Sequence, residues 1–145
     1  MDGMGMANAT RSDARTRIGE TEKLTINLGV VDLGQIDLLV QEGFYSNRTD
    51  LIRTAIRNQL SSHGDEVRRT VARRTLVLGL RHIGRAELER AVAEGQMVQI
   101  QVVGLARIAN DVSPKLALAA IRSVEVLGAF QASPAVRKAL ADRIL

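Results

Sequence analysis

Three polar side chains recur at every second position near the start of the sequence. Lys23, Thr25 and Asn27 alternate with apolar residues in the stretch KLTINL at 23–28. A period of two is typical of a half-buried β-strand, which places the three polar side chains on one face. Such side chains can reach the edges of DNA bases and the phosphates beside them. The pattern therefore predicts a strand face that contacts a nucleic acid.

This strand has no partner strand in the sequence around it. The next residues predict two helices, the first closed by Gly43 and the second opened by Asn47 with Asp50 three positions later. A unit of about forty residues with one strand is too small to bury a core, and a lone strand leaves both edges open. The simplest solution is a symmetric dimer in which two copies of the strand pair antiparallel. Such a two-stranded ribbon fits the major groove of DNA.

The stretch EKLTINLGVVDLGQIDLLVQEGFYSNRTDLIRTAIRNQL resembles the ribbon–helix–helix DNA-binding domain of the CopG/Arc/MetJ superfamily over residues 22–62. The resemblance implies an obligate dimer that reads bases with the outward strand residues and holds phosphates at the start of the second helix. On this chain it assigns base contacts to Lys23, Thr25 and Asn27, and phosphate contacts to Ser46, Asn47 and Arg48. The phosphate contacts have an independent reason, because free N–H groups at a helix start attract phosphate.

Charge is distributed unevenly along the chain. The whole chain carries a formal net charge of +4, but residues 22–62 hold four basic and five acidic residues, a net charge of −1. Auxiliary DNA contacts could come from a flexible arm at 1–21 and an Arg-rich linker at 63–74. The candidates are Arg11, Arg15, Arg17, Arg68 and Arg69. The arm equally fits a solvated terminus, and the linker arginines equally fit the solvated face of a helix.

Residues 75–145 show a threefold internal repeat. Each copy opens with β-branched residues and leucines that run into a glycine, at Gly79, Gly104 and Gly128, and then enters a helical pattern. Serine–proline pairs at 113–114 and 133–134 are typical helix starts. Strands that alternate with helices favour a parallel sheet. The prediction is an α+β chain whose second half is a small α/β domain of three strand–turn–helix units, serving oligomerisation or sensing.

One alternative layout splits residues 97–109 into a hairpin at Gly104. The resulting order is that of an ACT-like ligand-binding domain, as in a nickel-responsive regulator of the same superfamily. A single glycine is too short for a hairpin loop, which usually needs at least two residues. The metal ligands of that regulator are also missing here, so the repeat is the favoured interpretation.

Other kinds of chemistry find little support in the sequence. There are no cysteines and only two histidines, His63 and His82, so we expect no metal and no cofactor. No nucleophile–base pair, phosphate loop or carboxylate pair stands out, so we expect no catalytic residues. No apolar run approaches the roughly 20 residues of a membrane span, and the N-terminus lacks the apolar segment of a signal peptide. We expect a cytoplasmic, nucleoid-associated protein.

The function that these patterns favour is a prokaryotic, sequence-specific regulator of transcription. It would act as a repressor or autorepressor, binding double-stranded DNA as a dimer or higher oligomer. One alternative is an antitoxin whose C-terminal half binds a toxin protein, which a neighbouring toxin gene would favour. Another is a scaffold that polymerises through its βα repeats, which large assemblies without DNA affinity would favour.

Overall fold

The computed structural model describes residues 20–145. The chain separates into two compact units, with the division between Glu66 and Val67. Helices and a three-stranded parallel sheet make up the described residues, in agreement with the predicted α+β class. The arm predicted at 1–21 lies almost wholly outside the described residues.

Two complete helices lie in the described part of the N-terminal unit. Helix α1 spans Val30–Gln41 and helix α2 spans Arg48–Ser62. The predicted glycine at the end of α1 is confirmed, because Gly43 has a φ of 87°, in the left-handed region that favours glycine. A third helix, α3 (Gly64–Arg73), begins in this unit and continues across the division, so most of the predicted linker is helical.

The C-terminal unit alternates strands with short helices. Its elements are β1 (Val77–Ile83), α4 (Arg85–Ala93), β2 (Val98–Ile108), α5 (Pro114–Ala120), β3 (Ile121–Gln131), α6 (Pro134–Ala139) and a 3₁₀ turn at Ala141–Arg143. The strands are parallel in the order β1-β2-β3, which is compatible with three strand–helix units. Strand β2 runs straight through Gly104, so the alternative hairpin at that glycine is wrong.

The three repeat glycines lie inside the strands and not in turns, which corrects the predicted strand–turn–helix unit. Gly79, Gly104 and Gly128 are paired in register across the sheet, each with a φ between 122° and 137°. A Cβ atom on Gly104 would lie 2.2 Å from the carbonyl oxygen of Gly79, and one on Gly128 would lie 2.1 Å from that of Gly104. The strands keep this register because no side chain stands between them at that level.

The core lies on one face of the sheet. Alternate residues of β2, including Ile100, Val102 and Ile108, join one buried cluster with residues from all three covering helices. Helix α4 packs against α5, and α5 packs against α6, so the helices form a single layer. This arrangement follows from the sheet order, because right-handed crossovers between successive parallel strands place every helix on the same side.

Local hydrogen bonds fix the starts of the short helices. The Ser113 hydroxyl accepts the Leu116 N–H at 3.1 Å, and the Ser133 hydroxyl accepts the Val136 N–H at 3.2 Å. Both predicted serine caps are confirmed, each with a proline in the first helical turn.

Two ion pairs tie the C-terminal unit together. Arg74, which follows α3, pairs with Glu125 on β3. Arg81 on β1 donates two hydrogen bonds to Glu87 on α4, at 3.1 and 2.7 Å. The second pair is partly buried and joins a strand to the helix that follows it.

The glycine register predicts a large effect of a single methyl group. We expect Gly104→Ala to lower the free energy of unfolding by about 3 kcal/mol or more, because the added methyl meets a backbone oxygen at a positive φ. Urea unfolding followed by circular dichroism measures the change.

Gly95→Ala is the matched control, since Gly95 also has a positive φ (68°) but nothing within 4 Å of its Cβ position. We expect it to cost about 1 kcal/mol, the penalty of the left-handed backbone alone. Equal losses from the two variants would contradict the proposed steric cause.

The Arg81–Glu87 pair predicts a pH-dependent contribution to stability. Hydrogen bonds from Arg81 hold the pKa of Glu87 below its ordinary value of 4.5 in the folded chain. The pair therefore stabilises the fold above that pH and loses its effect as the pH falls through the lowered value. We expect Glu87→Gln to cost about 0.5–1 kcal/mol at neutral pH and close to nothing in acid, measured by urea unfolding at both. If Glu87→Gln lowers the free energy of unfolding equally at both pH values, the effect comes from packing and not from the ion pair.

Candidate nucleic-acid interface

The three predicted base-reading residues lie in the segment that precedes α1. Lys23, Thr25 and Asn27 are exposed, and residues 21–29 form neither a helix nor a strand in the single chain. The apolar residues between them are exposed as well, with Leu24 80% accessible. A strand is defined by its partner, so the predicted ribbon needs a second chain to form and stays a prediction.

The predicted phosphate-binding residues lie together at the start of α2. Asn47 caps the helix, because its side-chain oxygen accepts the Asp50 N–H at 2.8 Å. The Asp50 carboxylate in turn accepts the Ser46 N–H at 3.0 Å. The predicted cap is confirmed, and it holds the residues before the helix in a fixed turn. The first N–H groups of α2, at Arg48 and Thr49, have no acceptor within the helix and point outward from its start.

Arg48 makes a contact that sequence reasoning missed. Its guanidinium donates two hydrogen bonds to the Asp37 carboxylate, with Nε–Oδ1 2.7 Å and Nη2–Oδ2 2.9 Å. These bonds lower the pKa of Asp37 and raise the pKa of Arg48, so both stay charged at neutral pH. The pair joins α1 to α2 and fixes the arginine beside the helix start. The Asp37 carboxylate also neutralises part of the positive charge of Arg48.

The auxiliary arginines fall into two groups. Arg11, Arg15 and Arg17 lie outside the described residues. Arg68 and Arg69 are exposed on α3, on the C-terminal side of the division between the two units. Neighbouring Arg74 is engaged with Glu125, so not every arginine of the linker cluster is a solvated side chain.

The described part of the N-terminal unit, from residue 20 onward, has no buried apolar side chain. None of the residues in α1, α2 or α3 is buried, whereas every buried apolar residue of the described chain lies between Leu76 and Leu140. Large apolar side chains remain open to solvent, among them Val30 at 82% and Phe44 at 71%. A helical unit with this much exposed apolar surface requires a partner to cover it.

Both units of the chain resemble a known protein family. A model described as the ribbon–helix–helix transcriptional regulator family matches residues 19–137. The chain belongs to this family. Membership of the ribbon–helix–helix family implies DNA binding and dimerisation, which accounts for the exposed apolar surface of α1 and α2.

The match also reaches far beyond the segment that carried the resemblance. It includes the three strands of the sheet and ends within α6, so the C-terminal unit is part of the pattern of this ribbon–helix–helix family. Comparisons with curated proteins and with solved structures return no match.

The described residues offer no metal site and no membrane-spanning helix. Within 20–145, no group of three or more histidine or carboxylate side chains lies close enough to hold a metal ion. In that same range, no helix has the length and apolarity needed to cross a membrane.

Asp37 has no sequence signal that would mark it as part of this site. It stands eleven residues before Arg48, a spacing that corresponds to no single helix or turn motif. Only the packing of α1 against α2 brings the two side chains together.

The Arg48–Asp37 pair predicts how charge at this site changes binding to DNA. We expect Arg48→Ala to weaken binding to all DNA sequences alike and to reduce the slope of log affinity against log salt by about 1, as for the loss of one phosphate contact. We expect Asp37→Asn to strengthen binding to all sequences, because the guanidinium no longer shares its charge with a carboxylate. Fluorescence anisotropy across a salt series measures both.

The matched control is Arg57→Ala, which removes an exposed arginine from the middle of the same helix. If Arg57→Ala and Arg48→Ala change the salt slope equally, the effect comes from net charge and the helix start has no special role.

Proposed function

We propose that this chain is a sequence-specific, DNA-binding regulator of transcription that acts as a dimer. The observation that carries the proposal is that the described N-terminal helices bury no side chain, in a chain that belongs to a family of transcriptional regulators. A second copy of residues 22–62 supplies the missing half of the core.

In the proposed dimer the two 23–28 segments pair as an antiparallel ribbon. The apolar residues Leu24, Ile26 and Leu28 then turn toward the helices of both chains, and their exposure in the single chain supports this assignment. Lys23, Thr25 and Asn27 turn outward, six side chains in all, into the major groove. Lysine and asparagine are suited to guanine and adenine edges, and threonine can contact either a base or a methyl group.

The start of α2 fixes the position of the ribbon on the DNA. Its outward N–H groups, its capping turn at Ser46 and Asn47, and the cation of Arg48 together suit a phosphate. Asp37 holds Arg48 beside the helix start before DNA arrives, but its carboxylate also offsets part of the attraction of Arg48 for phosphate, and the charge effect is the larger of the two. Phosphate contacts of this kind set the register in which the strand side chains meet the bases.

The sign of regulation that we propose is repression, including repression of the chain's own promoter. A dimer seated in the major groove at a promoter excludes other proteins from the same DNA. The net charge of −1 on residues 22–62 limits non-specific attraction, so recognition of bases carries a large share of the proposed affinity.

The first test compares specific with non-specific binding. The triple variant Lys23→Ala, Thr25→Ala, Asn27→Ala removes all three proposed base contacts and keeps the apolar face of the ribbon. We expect its affinity for the chain's own upstream DNA to fall by roughly a hundredfold or more, since each good base contact is worth about 1–3 kcal/mol. Its affinity for unrelated DNA should fall only by the amount that the loss of one lysine charge causes. Fluorescence anisotropy at near-physiological salt measures both.

Lys138→Ala is the matched control for that lysine, because Lys138 is exposed on α6, far along the sequence from the proposed ribbon. It should leave the ratio of specific to non-specific affinity unchanged. A triple variant that loses equal affinity for both DNAs would refute base readout by these residues, and wild type without sequence preference would refute the proposed function.

A further inference from the structure

We propose that the C-terminal sheet is a head-to-tail assembly surface, in which β1 of one copy adds in parallel to the outer edge of β3 of the next. The partner is a second copy of this chain, and the contact continues the β1-β2-β3 order from chain to chain. The inference concerns the C-terminal unit alone and stands whether or not the N-terminal unit binds DNA.

The two outer edges of the sheet have complementary shapes at the glycine level. On the outer side of β3, a residue with a Cβ would meet the Gly128 carbonyl as it would meet those of Gly79 and Gly104 within the chain. The strand that pairs there must therefore present a glycine with a similar positive φ. Gly79 is such a residue, and its own Cβ position has nothing within 4 Å. The β1 edge thus supplies the glycine that the β3 edge requires.

The register within the chain also predicts where β1 of a second copy pairs with β3. Within the chain, Val77, Val102 and Val126 stand opposite one another, so an added β1 starts at Val126. The C-terminus occupies the same edge just before that point, where Ile144 bridges Val124 in parallel and the Leu145 N–H donates to the Val124 carbonyl at 2.8 Å. This contact shows that the edge accepts parallel backbone. Among the described residues no strand pairs with the outer side of 126–130, and the exposed Leu145 has to shift where Leu76 of an added copy enters.

Exposed apolar side chains lie on both edges at the matching level. Leu78 on β1 is 57% exposed and Leu127 on β3 is 50% exposed, although Val103 between them is partly buried. The three residues are in register, so an added copy places its Leu78 beside Leu127. Natural sheets usually protect long apolar edges with lysine, proline or a bulge. Residues 126–130 contain none of the protecting residues.

The helix layer extends in the same direction. Helix α4 packs against α5, and α5 against α6, so the α4 helix of an added copy stacks on α6 in the same manner. The contact thus buries surface in both layers, as successive units of a solenoid do.

Cysteine pairs test this register directly, because the wild-type chain has no cysteine. In the double variant Leu78→Cys, Leu127→Cys, a disulfide cannot form within one chain, since the residues lie two strand spacings or about 9.5 Å apart. Between chains they stand directly opposite. We expect oxidation to give a series of covalent products of two, three and more chains on a non-reducing gel. Neither single-cysteine variant should give any.

The control Leu78→Cys, Leu118→Cys keeps the number of thiols but moves one to α5, and it should give no series. A covalent pair from Leu78→Cys alone would mean that two β1 edges meet symmetrically, and it would overturn the proposal. A double variant that stays uncrosslinked, or that stops at two chains, would overturn it as well.

Gly79→Ala gives a second measurement that needs no crosslink. Its methyl group meets nothing in the single chain but would meet the Gly128 carbonyl of the next copy. Light scattering should show wild type as assemblies larger than two chains and Gly79→Ala as no more than a dimer. Circular dichroism should show that Gly79→Ala keeps its strands, and Gly95→Ala should assemble like wild type. Wild type that stays at two chains at all concentrations would contradict the inference.

Discussion

The C-terminal unit depends on the close approach of three backbone segments at Gly79, Gly104 and Gly128. At this level each strand presents a carbonyl oxygen to the position where the next strand would carry its Cβ atom. Only one register brings a glycine to each of these positions, so the glycines align the strands as firmly as the apolar pattern does. The core residues on either side, such as Val102 and Ala106, then meet the helices at fixed heights.

The two units meet the need for apolar burial in different ways. The C-terminal unit buries its apolar residues under a layer of three short helices, two of which begin at a serine cap. The described N-terminal helices are longer, and none of their residues is buried. The Arg48–Asp37 pair joins α1 to α2, and their apolar surface stays exposed in the single chain.

Sequence reasoning succeeded where the determining interactions are local. The caps at Asn47, Ser113 and Ser133 involve residues three positions apart, and a motif of that length is visible in one chain. It failed at Gly104, because a glycine that permits a turn and a glycine that permits two strands to approach give the same signal. The Arg48–Asp37 contact could not be predicted, since it depends on how two helices pack. The predicted ribbon requires a second chain, so the described residues of one chain cannot display it.

The absence of a core in the N-terminal unit also has a consequence for timing and dosage. A DNA-binding surface that needs two chains is present only in dimers. At low abundance the concentration of dimers rises with the square of the chain concentration. The C-terminal unit, with its own core, has no such requirement for its folding. A newly made chain would therefore carry a finished sheet before it carries a finished ribbon. A regulator of this design would respond to its own accumulation with a threshold, even if each DNA site bound only one dimer.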